Sequence, residues 1–171
     1  MICDYHYDYH HYAYHFDRKF IEASNGRGKG CGMFSLTSRN MSNEVTVVKE
    51  NYQLLSVVDE TDPNYTYQVI LVYASSGCNL SEVVHHLSHL LFPQMKKIVI
   101  GDFNYDKKET NILTTFLKNN LLSQVVPWPT HIQGRTLDHC YVSQNIEVQL
   151  TRYSPYYSDH SALCIEFEFD E

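Results

Sequence analysis

Apolar residues along this chain follow two periodicities. Val45-Thr46-Val47-Val48, Tyr52 to Val58 and Tyr67 to Tyr73 are rich in Val, Tyr and Thr and read as successive strands. Asp62-Pro63-Asn64 marks the turn between the last two. Met33 to Leu36 is a shorter strand after a glycine-rich turn, Asn25 to Gly32. Leu137 to Val142 and Val148 to Tyr153 are further strands, and Ala162 to Phe169 is the last, with Leu163, Ile165, Phe167 and Phe169 in clean alternation. Helical spacing appears twice. Asn79 or Ser81 caps a helix whose apolar face is Val83, Val84, Leu87, Leu90 and Leu91, and Pro93 ends it. A second helix is expected from about Lys107 to Asn120, with Ile112, Leu113, Phe116 and Leu117 as its buried stripe. Periodicity alone reaches a mixed α/β fold.

The stretch with most chemistry is Lys97-Ile98-Val99-Ile100-Gly101-Asp102-Phe103-Asn104. Ile98 to Ile100 read as a short buried strand, and Gly101 is expected to end it. Alternation along an extended chain puts Asp102 and Asn104 on one side and Phe103 on the other. A carboxylate and a carboxamide then emerge together at a strand end, where oxygen and N–H groups hold a hard cation or a phosphate.

Composition narrows the class. The 171 residues suit one domain with one good core. Hydrophobic residues make up 43% of the chain and no segment approaches 18 apolar residues, so a globular protein without a transmembrane span is expected. No signal peptide is visible at Met1-Ile2-Cys3. Cys3, Cys31, Cys78, Cys140 and Cys164 are an odd number without close pairing, and they read as free thiols of an intracellular protein, nuclear or cytoplasmic. The formal net charge of −7 argues against a strongly basic nucleic-acid surface, although bound cations would offset an acidic site.

Two histidine patterns read as bland. The tract from Tyr5 to Phe16 alternates Tyr and His, but His6, His10, His11 and His15 match no defined metal spacing. Residues 1–13 are therefore set aside as a Tyr/His-rich terminus, and 14–171 as the domain. His85 and His89, four apart on a helix, lack a third ligand and read as solvated.

Two more motifs follow Asp102 and Asn104: Thr136-Leu137-Asp138-His139, and Ser158-Asp159-His160-Ser161. Three motifs in this order, each at the end of a strand-like run, resemble the endonuclease/exonuclease/phosphatase family. That family includes abasic-site and retrotransposon endonucleases, deadenylases, sphingomyelinases and inositol-phosphate phosphatases. The run from Pro129-Thr130-His131 to Leu137-Asp138-His139 is most similar to endonuclease-like domains of transposable elements. The resemblance covers about Tyr14 to Phe169 and implies a DNase I-like four-layer α/β/β/α sandwich.

It also implies a metal-dependent phosphodiester hydrolase, with magnesium or manganese as cofactor and DNA as substrate. Asp102 would orient and deprotonate the attacking water, and Asn104 would donate to a phosphoryl oxygen. His160 would bind the phosphate or move a proton, and Asp138 would fix its tautomer. Asp159, with Asp102, would hold the ion, and Tyr73 would place its hydroxyl near the scissile phosphate. Arg27 and Lys29 in the glycine-rich turn are candidate phosphate contacts. Trp128 and His131 are candidate contacts to a base or sugar, with packing as the equal alternative for Trp128.

The departure lies at the N-terminus. The family begins with a strand bearing an asparagine and another ending in a metal-binding glutamate, and residues 1–13 contain neither residue type. The chain reads as a family domain lacking its first strands, with impaired catalysis. The alternative to impaired catalysis is that Asp4, Asp8 or Glu22 folds back as a surrogate ligand. The alternatives are a phosphomonoesterase or lipid phosphodiesterase of the same fold, and a non-catalytic remnant acting as a binding module.

Overall fold

A computed structural model describes residues 16–22, 32–38, 41–49, 51–59, 66–144 and 146–169. The strands are β1 (Phe16–Glu22), β2 (Gly32–Ser38), β3 (Met41–Val48), β4 (Tyr52–Asp59), β5 (Tyr67–Ala74), β6 (Lys96–Asp102), β7 (Leu122–Gln124), β8 (Asp138–Ser143), β9 (Ile146–Tyr153) and β10 (Ala162–Phe169). Helix α1 (Leu80–Leu90) lies between β5 and β6, and α2 (Ile112–Asn119) lies between β6 and β7. The Tyr/His tract, Arg27, Lys29 and the Asp62-Pro63-Asn64 turn lie outside the described residues, as do Asp4 and Asp8.

Six strands form the central sheet in the order β3-β4-β5-β6-β8-β7. Only β5 and β6 run parallel, because α1 carries the chain back across the sheet between them. Two antiparallel pairs stand apart from it, β1 with β2 and β9 with β10.

The alternation of β5 and β6 sorts their side chains onto two cores. Ile70, Val72 and Val99 face Val83, Leu87 and Leu90 of α1 and Leu113 and Leu117 of α2. Ile98, Ile100, Cys140 and Val142 face the opposite way, onto Ile146 and Leu163 of the β9–β10 pair. Each fully buried aliphatic side chain contributes about 1.5–3 kcal/mol. Among the described residues the layers are therefore helices, central sheet and second sheet, which is three of the four layers of the sandwich. Buried Gln68 ties the central sheet to the end of α1, donating to Ser56 Oγ and the Leu90 carbonyl at 2.7 Å each and accepting from Phe92 N at 3.2 Å.

Three expectations change. Helix α2 begins at Ile112, not Lys107. Residues 106–109 are held as turns instead, with Lys107 N donating to Thr136 O, Glu109 N to Asp106 O, and Asp106 accepting from Lys108 N. Asn111 then caps α2 through a reciprocal box with Thr114. Gly101 does not end its strand, since β6 continues through Asp102. A Cβ there would lie 1.8 Å from the Val72 carbonyl oxygen, and the residue has φ +152°. Strand β7 was not expected at all. Three residues carry too little periodicity to be read, and it exists by pairing with β8.

No helix among the described residues is long and apolar enough to cross a membrane. Among the described residues, Cys78, Cys140 and Cys164 form no disulfide.

Candidate active site at the ends of the central strands

Register across the sheet lines up three predicted residues. Tyr73 of β5 is the partner of Asp102 on β6, and Asp102 is the partner of Asp138 on β8. All three continue the face that carries Ile98 and Ile100, so the site opens at the end of the gap between the two sheets. Tyr73 is half-buried there and packs toward Leu55 and Val57.

Asp102 and Asn104 share a side of the chain, but not through extended alternation. Asn104 has φ +54°, a left-handed conformation that asparagine tolerates. Its backbone N donates to Asp102 Oδ1 at 3.0 Å. Its side-chain amide donates to Ala74 O at 2.8 Å and to Asp102 Oδ2 at 3.2 Å. Both amide hydrogens are thus used to hold Asp102 and the end of β5. Phe103 points inward, fully buried and stacked on the His139 ring at 4.8 Å between centroids.

His139 anchors the Asp138 side. Its Nε2 lies 3.1 Å from Tyr105 O and 3.0 Å from Thr136 O, and its Nδ1 lies 3.1 Å from the Tyr141 hydroxyl. Two carbonyl acceptors require the proton on Nε2, so Nδ1 accepts from Tyr141. Burial, against these hydrogen bonds, keeps the imidazole pKa below its ordinary range, which favours the neutral ring. Buried Thr130 accepts from Leu137 N and Asp138 N at 3.0 and 2.9 Å, fixing the backbone from which Asp138 projects. Neither His139 nor Thr130 was singled out from sequence. Their one signal is proximity in the chain to Asp138 and His131, which does not say where a side chain turns.

His160 reaches the site from the loop before β10. Its Nδ1 lies 2.8 Å from Asp138 Oδ2. One ligand atom from each of Asp102, Asp138 and His160 lies within 4.8 Å of the others. Asp159 turns elsewhere. Its carboxylate is 3.3 Å from His131 Nε2, and His131, Asp159 and His160 form a neighbouring group with the same spacing. The His131 and His160 rings meet edge to face at 5.0 Å. Two His–carboxylate pairs therefore stand side by side and share His160 as the link. A backbone bridge between His131 and His160 holds the two loops together, with Ser161 N donating to Thr130 O and Ile132 N to Asp159 O.

The electrostatics follow from crowding. Burial first, and the Asp138 charge second, push the Asp102 carboxyl up to about 6, against the bond from Asn104 and the nearby histidines. Burial alone would lower the His160 pKa, but the hydrogen bond and charge of Asp138, helped by Asp102 and Asp159, raise it instead. Asp159, fully exposed, is held low by a hydrogen bond from its own backbone N–H and by His131.

A divalent cation fits this donor set. Two carboxylates crowd each other at Asp102 and Asp138, with Asp159 at the next position, and a bound cation relieves that repulsion. Trp128 lies elsewhere: it packs against the core between the sheets, and its indole Nε1 is buried without a hydrogen-bond partner.

No protein-family model matches the sequence, and no curated protein does. Solved structures do match. The endonuclease domain of TRAS1, a telomere-specific non-LTR retrotransposon, is similar with TM-score 0.64 and 13% identity over 90% of this chain and 78% of that one. The human Nocturnin catalytic domain with bound sulfate gives TM-score 0.63 and 18% identity over 91% of this chain and 72% of that one. An endonuclease/exonuclease/phosphatase family protein from Leptotrichia buccalis C-1013-b gives 0.63 and 13% over 92% and 74%. The chain has the DNase I-like fold that these proteins share.

Proposed function

From the DNase I-like fold, we propose that this chain is a metal-dependent phosphodiester hydrolase acting on nucleic acid. The observation that carries the reading is the meeting of Asp102 with the hydrogen-bonded Asp138–His160 pair at the ends of neighbouring strands. The likeness to a retrotransposon endonuclease domain supports nucleic acid as the substrate class.

Asp102 takes the proton from the attacking water. Its carboxyl, raised to about 6, is ionised at neutral pH yet basic enough to accept that proton. Asn104 positions Asp102, because its amide is committed to Ala74 O and the Asp102 carboxylate. Asp138 accepts from His160 Nδ1, which fixes the tautomer and turns Nε2 toward the phosphate for hydrogen bonding or proton exchange. Tyr73 stands beside Asp102 in the register of the sheet, and its role is to stand near the scissile phosphate. Asp102, with the Asp138 and His160 donor atoms beside it, would hold a magnesium or manganese ion, with Asp159 of the neighbouring group as a further ligand; when bound, the ion neutralises charge on the phosphoryl oxygens. The Asp138 carboxylate is engaged with His160 and Asp159 stands in the neighbouring group, so the protein's hold on the ion is weak and turnover slow.

The test is nicking of supercoiled plasmid by the purified chain with magnesium or manganese. Cleavage abolished by Asp102→Ala supports the reading. Release of inorganic phosphate from monoesters without nicking moves the function to a small phosphoester, which the net charge of −7 favours. A folded protein with neither activity is the non-catalytic binding module.

A further inference from the structure

The loops that carry His131 and His160 also carry apolar side chains that stand exposed among the described residues. Ile132 is 79% exposed, Tyr156 100% and Tyr157 72%. With Tyr153 they are half of the large apolar side chains that are exposed among the described residues. Tyr156 and Tyr157 sit in the turn after β9, where Ser158 N donates to Pro155 O, and their rings meet edge to face at 5.3 Å. Tyr157 precedes His160 by three residues, which limits their separation to about 11 Å. Ile132 rides on the other loop, and its backbone N is bonded to Asp159 O. The three side chains thus belong to two loops that are hydrogen-bonded together at the mouth of the site.

Among the described residues, most of the cations nearby are engaged within the fold. Arg135 is paired with Glu109 at 3.1 Å, Lys107 donates to Val126 O, and Arg152 donates to Pro129 O. The whole chain carries −7. A duplex is gripped through its phosphates by many Lys and Arg side chains, and its bases expose no faces. An unpaired base does expose a face, and aromatic side chains bind that face with little dependence on sequence. We infer that Tyr156 and Tyr157, flanked by Ile132, are a stacking platform for an unpaired nucleotide next to the scissile phosphodiester. The inference rests on the hydrolase reading above and narrows its substrate to single-stranded or looped nucleic acid.

The experiment is fluorescence anisotropy with the full chain in EDTA, so that binding is measured without cleavage. The probes are a labelled single-stranded oligonucleotide of about 15 nucleotides and the same sequence as a duplex. Single strands are expected to bind more tightly than duplex, with a shallow salt dependence. Tyr156→Ala and Tyr157→Ala should each weaken single-strand binding by about tenfold or more, and Tyr→Phe at the same positions should retain it. Both side chains are exposed, so the variants fold. Equal or tighter duplex binding with a steep salt slope overturns the platform, as do alanine variants that bind like the parent. Self-association of the parent that is lost in the alanine variants overturns it too, assigning the patch to a second copy. Plasmid nicking is measured in parallel. Nicking that persists while the platform fails leaves the hydrolase reading standing, whereas a parent that neither binds nor cleaves removes both.

Discussion

His160 Nδ1 and Asp138 Oδ2 lie 2.8 Å apart, although 22 residues separate them in the chain. One sits on a loop leading into the second sheet and the other at the start of a central-sheet strand, so the bond spans the gap between the layers. Groups joined in this way act as a unit. Asp138→Asn and His160→Ala are expected to lower the rate of plasmid nicking by similar factors, each about 10² to 10⁴. The double variant should be scarcely worse than either single one. Multiplicative losses in single-turnover kinetics would show that the two act independently.

Asp102 sets a stability cost that depends on pH. Its carboxyl titrates near 3.9 in the unfolded chain and at about 6 in the folded protein. The folded state therefore binds more protons between those values, and stability falls as pH rises through that window. His160, raised in the folded state, adds a loss of stability above its own pKa. Asp102→Asn should raise stability by about 1–2 kcal/mol at pH 7.5 and by nothing near pH 4, while abolishing activity. Urea denaturation in EDTA at both pH values checks this. An equal effect at both would mean that ionisation is not the cause.

His131 holds Asp159. Its Nδ1 accepts from Gln133 N at 3.2 Å, which leaves the proton on the Nε2 that faces the carboxylate. Both ring nitrogens are thus occupied, and His131 is expected to act by positioning Asp159. His131→Ala is expected to raise the metal concentration needed for half-maximal nicking by about tenfold or more, with little change in the rate at saturating metal. A fall in saturated rate alone would place His131 at the reacting atoms instead.

Gly101 is expected to tolerate no side chain. A Cβ would meet the Val72 carbonyl oxygen at 1.8 Å, which is backbone and cannot rotate away, and φ +152° is strained for any L residue. Gly101→Ala should cost about 3 kcal/mol or more and displace Asp102, the next residue. Retention of the parent's urea midpoint would mean that β5 and β6 move apart freely at this point.

The sequence by itself determined the elements and the chemistry of the site. Apolar runs placed β4 and β5, and the alternation of Leu163, Ile165 and Phe167 placed β10, almost to the residue, because each strand lays at least one face on a core. Asn79 and the Val83–Leu87–Leu90 stripe placed α1 for the same reason at helical period. Order and identity of Asp102, Asn104, Asp138 and the Asp159-His160 pair carried the family resemblance, and with it the fold. What the tertiary structure decided is which atom faces which. The partnership of His131 with Asp159 arises from a backbone bridge between distant loops, and no local pattern encodes it. The amide of Asn104 turns to Ala74 because β5 lies parallel to β6 there, a neighbour supplied by the α1 crossover. Trp128 packs against the core between the sheets, since a tryptophan in a proline-flanked loop packs wherever the nearest apolar gap opens. The exposure of Tyr156 and Tyr157 is likewise a property of the folded surface, because a tyrosine in sequence carries no mark of which side of the molecule it will occupy.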